Sequence, residues 1–177
     1  MKKYQWQTRI NTSHESLGFH YPANMKTDVK RLGQRPETST SGPHSQLTQQ
    51  SSREIWEALV ERALALPHVI RGTSAVSPIT SVGLFFDDLT EIKVPSTSLS
   101  PNAPLEPVHI HGPHDTSTHL CLPTARAIEV CELGWGEPHQ FESYGTEIMV
   151  YGPRDENELE IVLGFVAESF EYARANN

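Results

Sequence analysis

Cysteine is scarce in this chain, with only Cys121 and Cys131 among 177 residues. Two cysteines cannot build the disulfide framework of a small secreted domain, so we expect both to be free thiols in a reducing compartment. No apolar run approaches the roughly 20 residues that a membrane-spanning helix needs. Met1-Lys2-Lys3 leads into polar residues rather than a signal peptide. These absences predict a cytoplasmic protein without a transmembrane segment.

Several signatures of common catalytic classes are also missing. The sequence has no glycine-rich phosphate loop, no Gly-x-Ser-x-Gly nucleophile elbow and no Cys-x-x-Cys pair. Each of these motifs supplies the backbone geometry or the paired thiols that its chemistry requires. Nucleotide binding, serine hydrolysis and thioredoxin-like redox chemistry therefore lose support.

Positive charge is concentrated near the N-terminus. Residues 1–53 carry eight Lys/Arg against three acids, whereas residues 54–177 carry six against nineteen. An acidic domain argues against nucleic acid as a partner, because neutralising phosphates requires a cationic surface. We interpret residues 1–50 as a basic, polar arm and linker and residues 51–177 as the folded domain. We expect a small-molecule ligand and leave a homodimer open.

Three segments have helical apolar spacing. The first, over 53–66, follows Ser51 or Ser52 as a cap, and a short helix over 125–133 follows a Thr124 cap. The last begins with Asp155 at the cap and Glu158 in the first turn, and its apolar stripe runs to the end of the chain.

Strands are predicted between these helices, at 82–86, 91–94, 147–151 and in a hairpin over 107–122. The order of elements predicts an α+β fold. We expect a two-layer sandwich, a mainly antiparallel sheet with helices packed on one face, plus the N-terminal arm.

Histidine is the one abundant reactive residue. Five of the nine lie between positions 109 and 139, and three of them, His109, His111 and His119, fall on the predicted hairpin. Imidazole can donate, accept, carry a proton or bind a metal near neutral pH. This cluster is the candidate site.

The register of the hairpin follows from placing its aliphatic residues on one face. The predicted partners are Ile110 with Leu120, Val108 with Leu122, His111 with His119, and His109 with Cys121. Three imidazoles and one thiol then share the opposite face, and His114 and Asp115 lie in the connecting loop.

Three interpretations of that face compete. His109, His111 and His119 could form a zinc triad, since His-x-His on one strand and a His on its neighbour can converge on one ion. They could instead do metal-free acid–base chemistry, in which a neutral imidazole takes a proton and a charged one stabilises an anion. The third interpretation is a polar sheet face without chemistry.

Other residues also allow two interpretations each. Trp135 is a pocket wall or an anchor for its turn, and Arg154 receives an anion or forms a surface ion pair. Asp115 orients an imidazole or only forms a turn. Cys121 is a ligand or a small core residue.

Three motifs in order suggest a family. They are His109-Ile110-His111 through Asp115-x-Ser117-x-His119-Leu120, then Gly134-Trp135-Gly136-Glu137-Pro138-His139, then Val150-Tyr151-Gly152-Pro153-Arg154-Asp155 before the final helix. Together they resemble the luciferase-domain family, small bacterial and fungal proteins named after fungal luciferase. The resemblance covers residues 54–175 and leaves the basic arm unexplained, where the fungal enzyme has an apolar anchor.

The resemblance implies a function. Fungal luciferase oxidises a hydroxylated α-pyrone with molecular oxygen and loses carbon dioxide, without metal or flavin. A cofactor-independent oxygenase acting on an enolisable hydroxypyrone or phenolic molecule is therefore expected. Carried over by motif, the catalytic residues would be His109, His111, His119 and His139 with Asp115 as orienter, and the substrate-binding residues His114, Trp135, Cys121 and Arg154. The alternatives are a non-catalytic module that binds a small molecule or peptide, and a zinc enzyme using the histidine triad.

Overall fold

The computed structural model of the protein describes residues 28–88, 99, 106–139 and 147–174. The strand predicted at 91–94 lies outside these residues. The described part of the chain contains three helices and six strands. In chain order they are α1 (Arg53–Leu64), β1 (Val69–Gly72), β2 (Val82–Phe86), β3 (Val108–Ile110), β4 (Thr118–Cys121), α2 (Thr124–Glu132), β5 (Gly136–Pro138), β6 (Glu147–Val150) and α3 (Glu156–Arg174).

The six strands form one antiparallel sheet in the order β1-β2-β3-β4-β6-β5. The predicted α+β class is confirmed. Two short strands, β1 and β5, were not predicted, because four and three residues carry too little alternation to stand out from turns.

The helix ends follow local capping chemistry. The Ser52 side chain accepts a hydrogen bond from the Ile55 amide, and the Asp155 carboxylate accepts one from the Glu158 amide at 2.9 Å, which confirms both predicted caps. The Thr124 cap is wrong: the helix begins one residue earlier, with Pro123 in the capping position. Proline suits that position because its fixed φ is compatible with helix entry.

The hydrophobic core lies between the helices and one face of the sheet. The aliphatic residues of the central strands point into it, and the helices supply the other side. The sheet contributes Val82, Leu84, Phe86, Val108, Ile110, Leu120, Ile148 and Val150, and α3 contributes Leu159, Val162, Leu163, Phe165, Val166, Phe170 and Ala173. No helix of the described residues is both long enough and apolar enough to cross a bilayer.

The hairpin register differs from the predicted one by two residues. The observed partners are Val108 with Leu120, His109 with His119, and Ile110 with Thr118. A two-residue slip leaves every side chain on the same face, so the apolar pattern could not distinguish the two registers. The connection decides between them: the His111 amide donates to the Ser117 carbonyl at 2.8 Å, and Thr116 adopts φ 67°, unusual for a β-branched residue.

Residues 28–50 pack against the domain. The Arg31 amide donates to the Leu133 carbonyl at 2.9 Å, and the Gln46 side chain accepts from the Gly152 amide at 2.8 Å. Arg31, His44 and Gln46 are buried. This segment therefore brings polar side chains to the sheet before α1 begins.

Candidate functional site

Five histidines lie close together, with His119 at their centre. The ring of His119 lies near four others, with centroid distances of 5.7 Å to His44, 4.8 Å to His109, 4.6 Å to His111 and 5.2 Å to His139. We call these five residues the histidine cluster. His44 was missed by sequence reasoning, because it stands in a polar segment with no periodic signal around it.

Strand alternation explains three members of the cluster. His109 lies on β3 with His111 just beyond its end, so both side chains leave the same face, and His119 on β4 pairs directly with His109. The three rings are nearly parallel, at 4° to 22° to one another. All three residues are buried, on the face opposite the aliphatic core.

Each of the three hairpin histidines has a carboxylate against its Nδ1 atom. The pairs are His109 with Glu106 at 2.9 Å, His111 with Asp115 at 2.5 Å, and His119 with Glu147 at 3.1 Å. For His109 and His111, the carboxylate accepts the Nδ1–H and so fixes the tautomer and the orientation of the ring. Glu106 and Glu147 were also missed; the only signals are the three-residue spacing of Glu106 from His109 and the place of Glu147 on a strand.

The His111–Asp115 pair is well supplied with hydrogen bonds. The Ser117 hydroxyl donates to Asp115 Oδ1 at 2.6 Å, and the Gln46 amide donates to the same oxygen at 3.1 Å. Burial alone would raise the pKa of Asp115, but the bonds from His111, Ser117 and Gln46 outweigh it and hold that pKa at about 2. Asp115 is therefore a carboxylate at any ordinary pH.

In the His119–Glu147 pair, burial is the dominant effect and shifts the pKa of each group toward its neutral form. Burial and the neighbouring imidazoles lower the pKa of His119 well below its ordinary value, while burial and Glu106 raise the pKa of Glu147 to about 7. His119 Nε2 lies 3.2 Å from the His44 carbonyl oxygen, which can only accept, so Nε2 carries the hydrogen. His119 Nδ1 is then the lone-pair nitrogen, and it accepts a hydrogen bond from Glu147 when that carboxyl group is protonated.

His109 and Glu106 form the third histidine–carboxylate pair of the hairpin. Burial lowers the pKa of His109, so the ring is neutral and its Nδ1–H donates to Glu106. Although burial alone would raise the pKa of Glu106, the bonds from His109 and the Ala75 amide keep it below its usual range. The Glu106 carboxylate therefore accepts hydrogen bonds from His109 on the hairpin and from Ala75 in the loop that follows β1.

A cleft of about 360 Å³ opens beside one end of the cluster. Its lining includes three of the predicted site residues, His111, His114 and Asp115. Two apolar side chains, Leu47 and Pro78, also line the cleft. The remaining lining is mainly polar, and polar groups of this kind can orient a small ligand.

The other predicted site residues lie away from the cleft. Trp135 is buried in the core against Phe165, with its indole N–H on the Val29 carbonyl. Arg154 pairs with Glu158 at the start of α3. Cys121 is fully buried opposite Glu147, and burial raises the pKa of its thiol, so it is a poor nucleophile.

His139 lies at the edge of the cluster. It is partly buried at the end of β5, and its Nε2 lies 3.4 Å from Glu147 Oε1. Its backbone amide donates to the Glu147 carbonyl at 3.2 Å, which fixes its position beside β6. Two imidazoles, from His119 and His139, therefore approach one carboxylate oxygen.

Comparison with protein-family models gives a match over the segment that carries the histidine hairpin. Residues 104–169 match the sequence model of a family described as the luciferase domain. They include every member of the histidine cluster except His44, and all three carboxylates of the hairpin pairs. Searches of curated proteins and of solved structures gave no match. The segment that carries the histidine hairpin therefore matches the luciferase-domain family that its motifs predicted.

Proposed function

We propose that this luciferase-like protein is an oxygenase that takes a proton from an enolisable hydroxypyrone or phenolic molecule bound in the cleft. One observation carries the proposal: His111 and Asp115 form a hydrogen-bonded pair and also line the cleft. The remaining members of the cluster are absent from the lining of that cleft. His111 is therefore the one member of the histidine cluster placed to touch a ligand there.

The pair has the organisation of a general base. Asp115 is ionised and accepts the Nδ1–H of His111, which leaves the lone pair of the ring on Nε2. A substrate hydroxyl against Nε2 would pass its proton to the ring. Asp115 then stabilises the imidazolium, as the acid does in other carboxylate–histidine pairs.

The product of that step is an enolate or phenolate beside a cationic ring. Such an anion is the electron-rich form that reacts with molecular oxygen, which is the co-substrate in this scheme. His114, exposed at the cleft, is available to hold the anionic oxygen or a substituent of the ring. The proton transfer itself requires no cofactor.

The cleft fits a small, partly apolar ligand. A volume of about 360 Å³ is at the small end of ligand pockets, which suits one or two rings rather than a peptide. Leu47, which is 54% exposed, and Pro78 are the apolar side chains of the lining. These side chains would cover the face of a flat ring.

Oxygen uptake tests the proposal. Purified protein is mixed with a panel of hydroxypyrones and catechols, and oxygen consumption is followed with an electrode. We expect His111→Ala and Asp115→Asn to lower the rate by about 10²-fold or more, the range for losing a general base. The matched control is His68→Ala, since His68 forms an exposed pair with Asp87 at 3.3 Å and does not line the cleft.

Two results would overturn the oxygenase. One is full oxygen uptake by His111→Ala. The other is thermal stabilisation by members of the panel without any turnover, which would favour the non-catalytic binding module instead.

A further inference from the structure

We propose that His119, His139 and Glu147 form a binding site for one divalent first-row transition metal ion. The ligand atoms would be Nδ1 of His119, Nε2 of His139 and a carboxylate oxygen of Glu147. This site is separate from the His111–Asp115 pair at the cleft. It departs from the cofactor-free chemistry that the family resemblance implies, and it does not rest on the proposed oxygenase function.

The spacing of the three ligand atoms carries the proposal. Glu147 Oε1 lies 3.1 Å from His119 Nδ1 and 3.4 Å from His139 Nε2, and the ligand atoms of the trio all lie within 4.8 Å of one another. With metal–ligand bonds of about 2.1 Å, neighbouring ligands of a tetrahedral or octahedral ion are about 3.0 to 3.4 Å apart. Two of the three distances between ligand atoms in this trio already lie in that range.

The orientation of the rings also fits. The planes of His119 and His139 cross at 75°, so in-plane lone pairs from the two rings can meet at one point. Glu147 lies on β6 between the elements that carry them, since β6 pairs with β4 on one side and β5 on the other. Sheet hydrogen bonds on both sides therefore hold the three ligands in place.

The surroundings of His119 match those of a metal ligand. Its Nε2–H is directed at the His44 carbonyl oxygen, at 3.2 Å. Metal-binding histidines characteristically donate their second ring hydrogen to a carbonyl or carboxylate, which fixes the tautomer that presents the other nitrogen to the ion. The segment before α1 thus holds His119 in the form that a metal requires.

A rival trio shares His119 but fits less well. One ring nitrogen from each of His109, His111 and His119 also lies within 4.8 Å of the others. Their rings, however, are nearly parallel, at 4° to 22°, so their in-plane lone pairs do not converge on one point. The carboxylates on Nδ1 of His109 and His111 are compatible with metal binding through Nε2, so the ring planes are what distinguish the two trios.

The donor set indicates the class of ion. Two imidazoles and one carboxylate suit iron, cobalt or zinc, whereas calcium and magnesium prefer an all-oxygen shell. Three protein ligands leave coordination positions open for water or another small molecule. Glu147 is a buried acid, and a divalent cation bound to it would compensate the cost of burying its charge.

Metal titration tests the site without any substrate. Full-length protein without an affinity tag is stripped with a chelator, dialysed, and titrated with Co²⁺ and with Zn²⁺. We expect one ion per chain by elemental analysis and the visible absorption of Co²⁺ bound by nitrogen and oxygen ligands. Glu147→Gln, which keeps the size of the side chain, and His139→Ala should each weaken binding by more than about 100-fold.

The controls separate the two trios. His109→Ala and His111→Ala should retain the ion, because neither residue belongs to the proposed site. Circular dichroism and the melting temperature of each variant establish that it is folded. The proposal fails if stripped protein takes up no stoichiometric ion, if Glu147→Gln and His139→Ala bind as the parent does, or if the two control variants lose the ion instead. None of these results depends on oxygen uptake, so the metal site and the oxygenase function are tested independently of each other.

Discussion

The backbone carbonyl oxygen of His44 lies 3.2 Å from Nε2 of His119, although the two residues are 75 positions apart in the chain. Their rings are 5.7 Å apart and nearly perpendicular. The His44 ring is itself held by Glu137 at 2.7 Å. A segment that precedes the first helix therefore sets the tautomer of the histidine at the centre of the cluster.

The stability contributed by Asp115 should depend on pH. Its pKa is about 2 in the folded protein against 3.8 for the ordinary group, so it stabilises the fold above about pH 4. That contribution is lost as the pH falls from about 4 to about 2. We expect Asp115→Asn to cost on the order of 2 kcal/mol at pH 7 and much less near pH 2.5, measured by urea unfolding at each pH.

Asp87→Asn is the matched control for that measurement, because Asp87 forms an exposed pair with His68. It should change the free energy of unfolding little at either pH. An equal effect of Asp115→Asn at pH 7 and pH 2.5 would contradict the assignment of a depressed pKa.

Arg31 should be a main anchor of residues 28–50. Its guanidinium donates to Glu158 at 3.2 Å and to the Gly152 carbonyl at 3.2 Å, and it lies over the Tyr151 ring at 5.4 Å. Removing one partner of a buried ion pair is strongly destabilising. We expect Arg31→Ala to lower the free energy of unfolding by about 3 kcal/mol in urea.

Arg53 offers the comparison, since it also pairs with a glutamate, Glu57 at 2.8 Å, but its side chain is 78% exposed. Arg53→Ala should leave the unfolding midpoint almost unchanged, because solvent screens an exposed pair. Similar losses for the two variants would mean that burial does not strengthen the Arg31 contacts.

Gly136 should tolerate no side chain. A Cβ built there meets the Met149 carbonyl oxygen and comes within 3.2 Å of Val150 Cα, and both are backbone atoms of β6 that cannot turn aside. Gly136→Ala must therefore push β5 away from β6. We expect a loss of about 2 kcal/mol in the free energy of unfolding, in the range for overpacking. A melting temperature equal to that of the parent would contradict this close approach.

The two thiols should differ in reactivity. Cys121 is fully buried, so a thiol reagent should reach it only when the protein opens, whereas Cys131 is partly exposed and its pKa is raised by burial to about 11. In Cys131→Ser we expect a single slow labelling phase that becomes fast in denaturant. Rapid labelling of native Cys131→Ser would show that Cys121 is accessible.

Local chemistry made several features predictable. Ser52 and Asp155 cap their helices as expected, because capping depends on residues three or four apart in sequence. The apolar stripe of α3 and the aliphatic face of the hairpin follow from periodicity alone. The family motifs are likewise contiguous in the chain, and residues 104–169 match the luciferase domain.

The partners of the histidines were not predictable in the same way. Glu147 meets His119 only because β6 lies beside β4, and a strand order is not encoded in any one segment. The two-residue error in pairing His109 with Cys121 has a related cause, since alternation specifies a face but not a position along it.

The sequence by itself determined the α+β class, the match of residues 104–169 to the luciferase domain and the shared face of His109, His111 and His119, because each depends on a pattern within a few residues or one hairpin. Only the tertiary structure decided which carboxylate holds each ring, that His44 and Glu147 enclose His119, and that His111 alone of the cluster lines the cleft. Those relationships join segments far apart in the chain, and they are set by the packing of the whole sheet rather than by local preference.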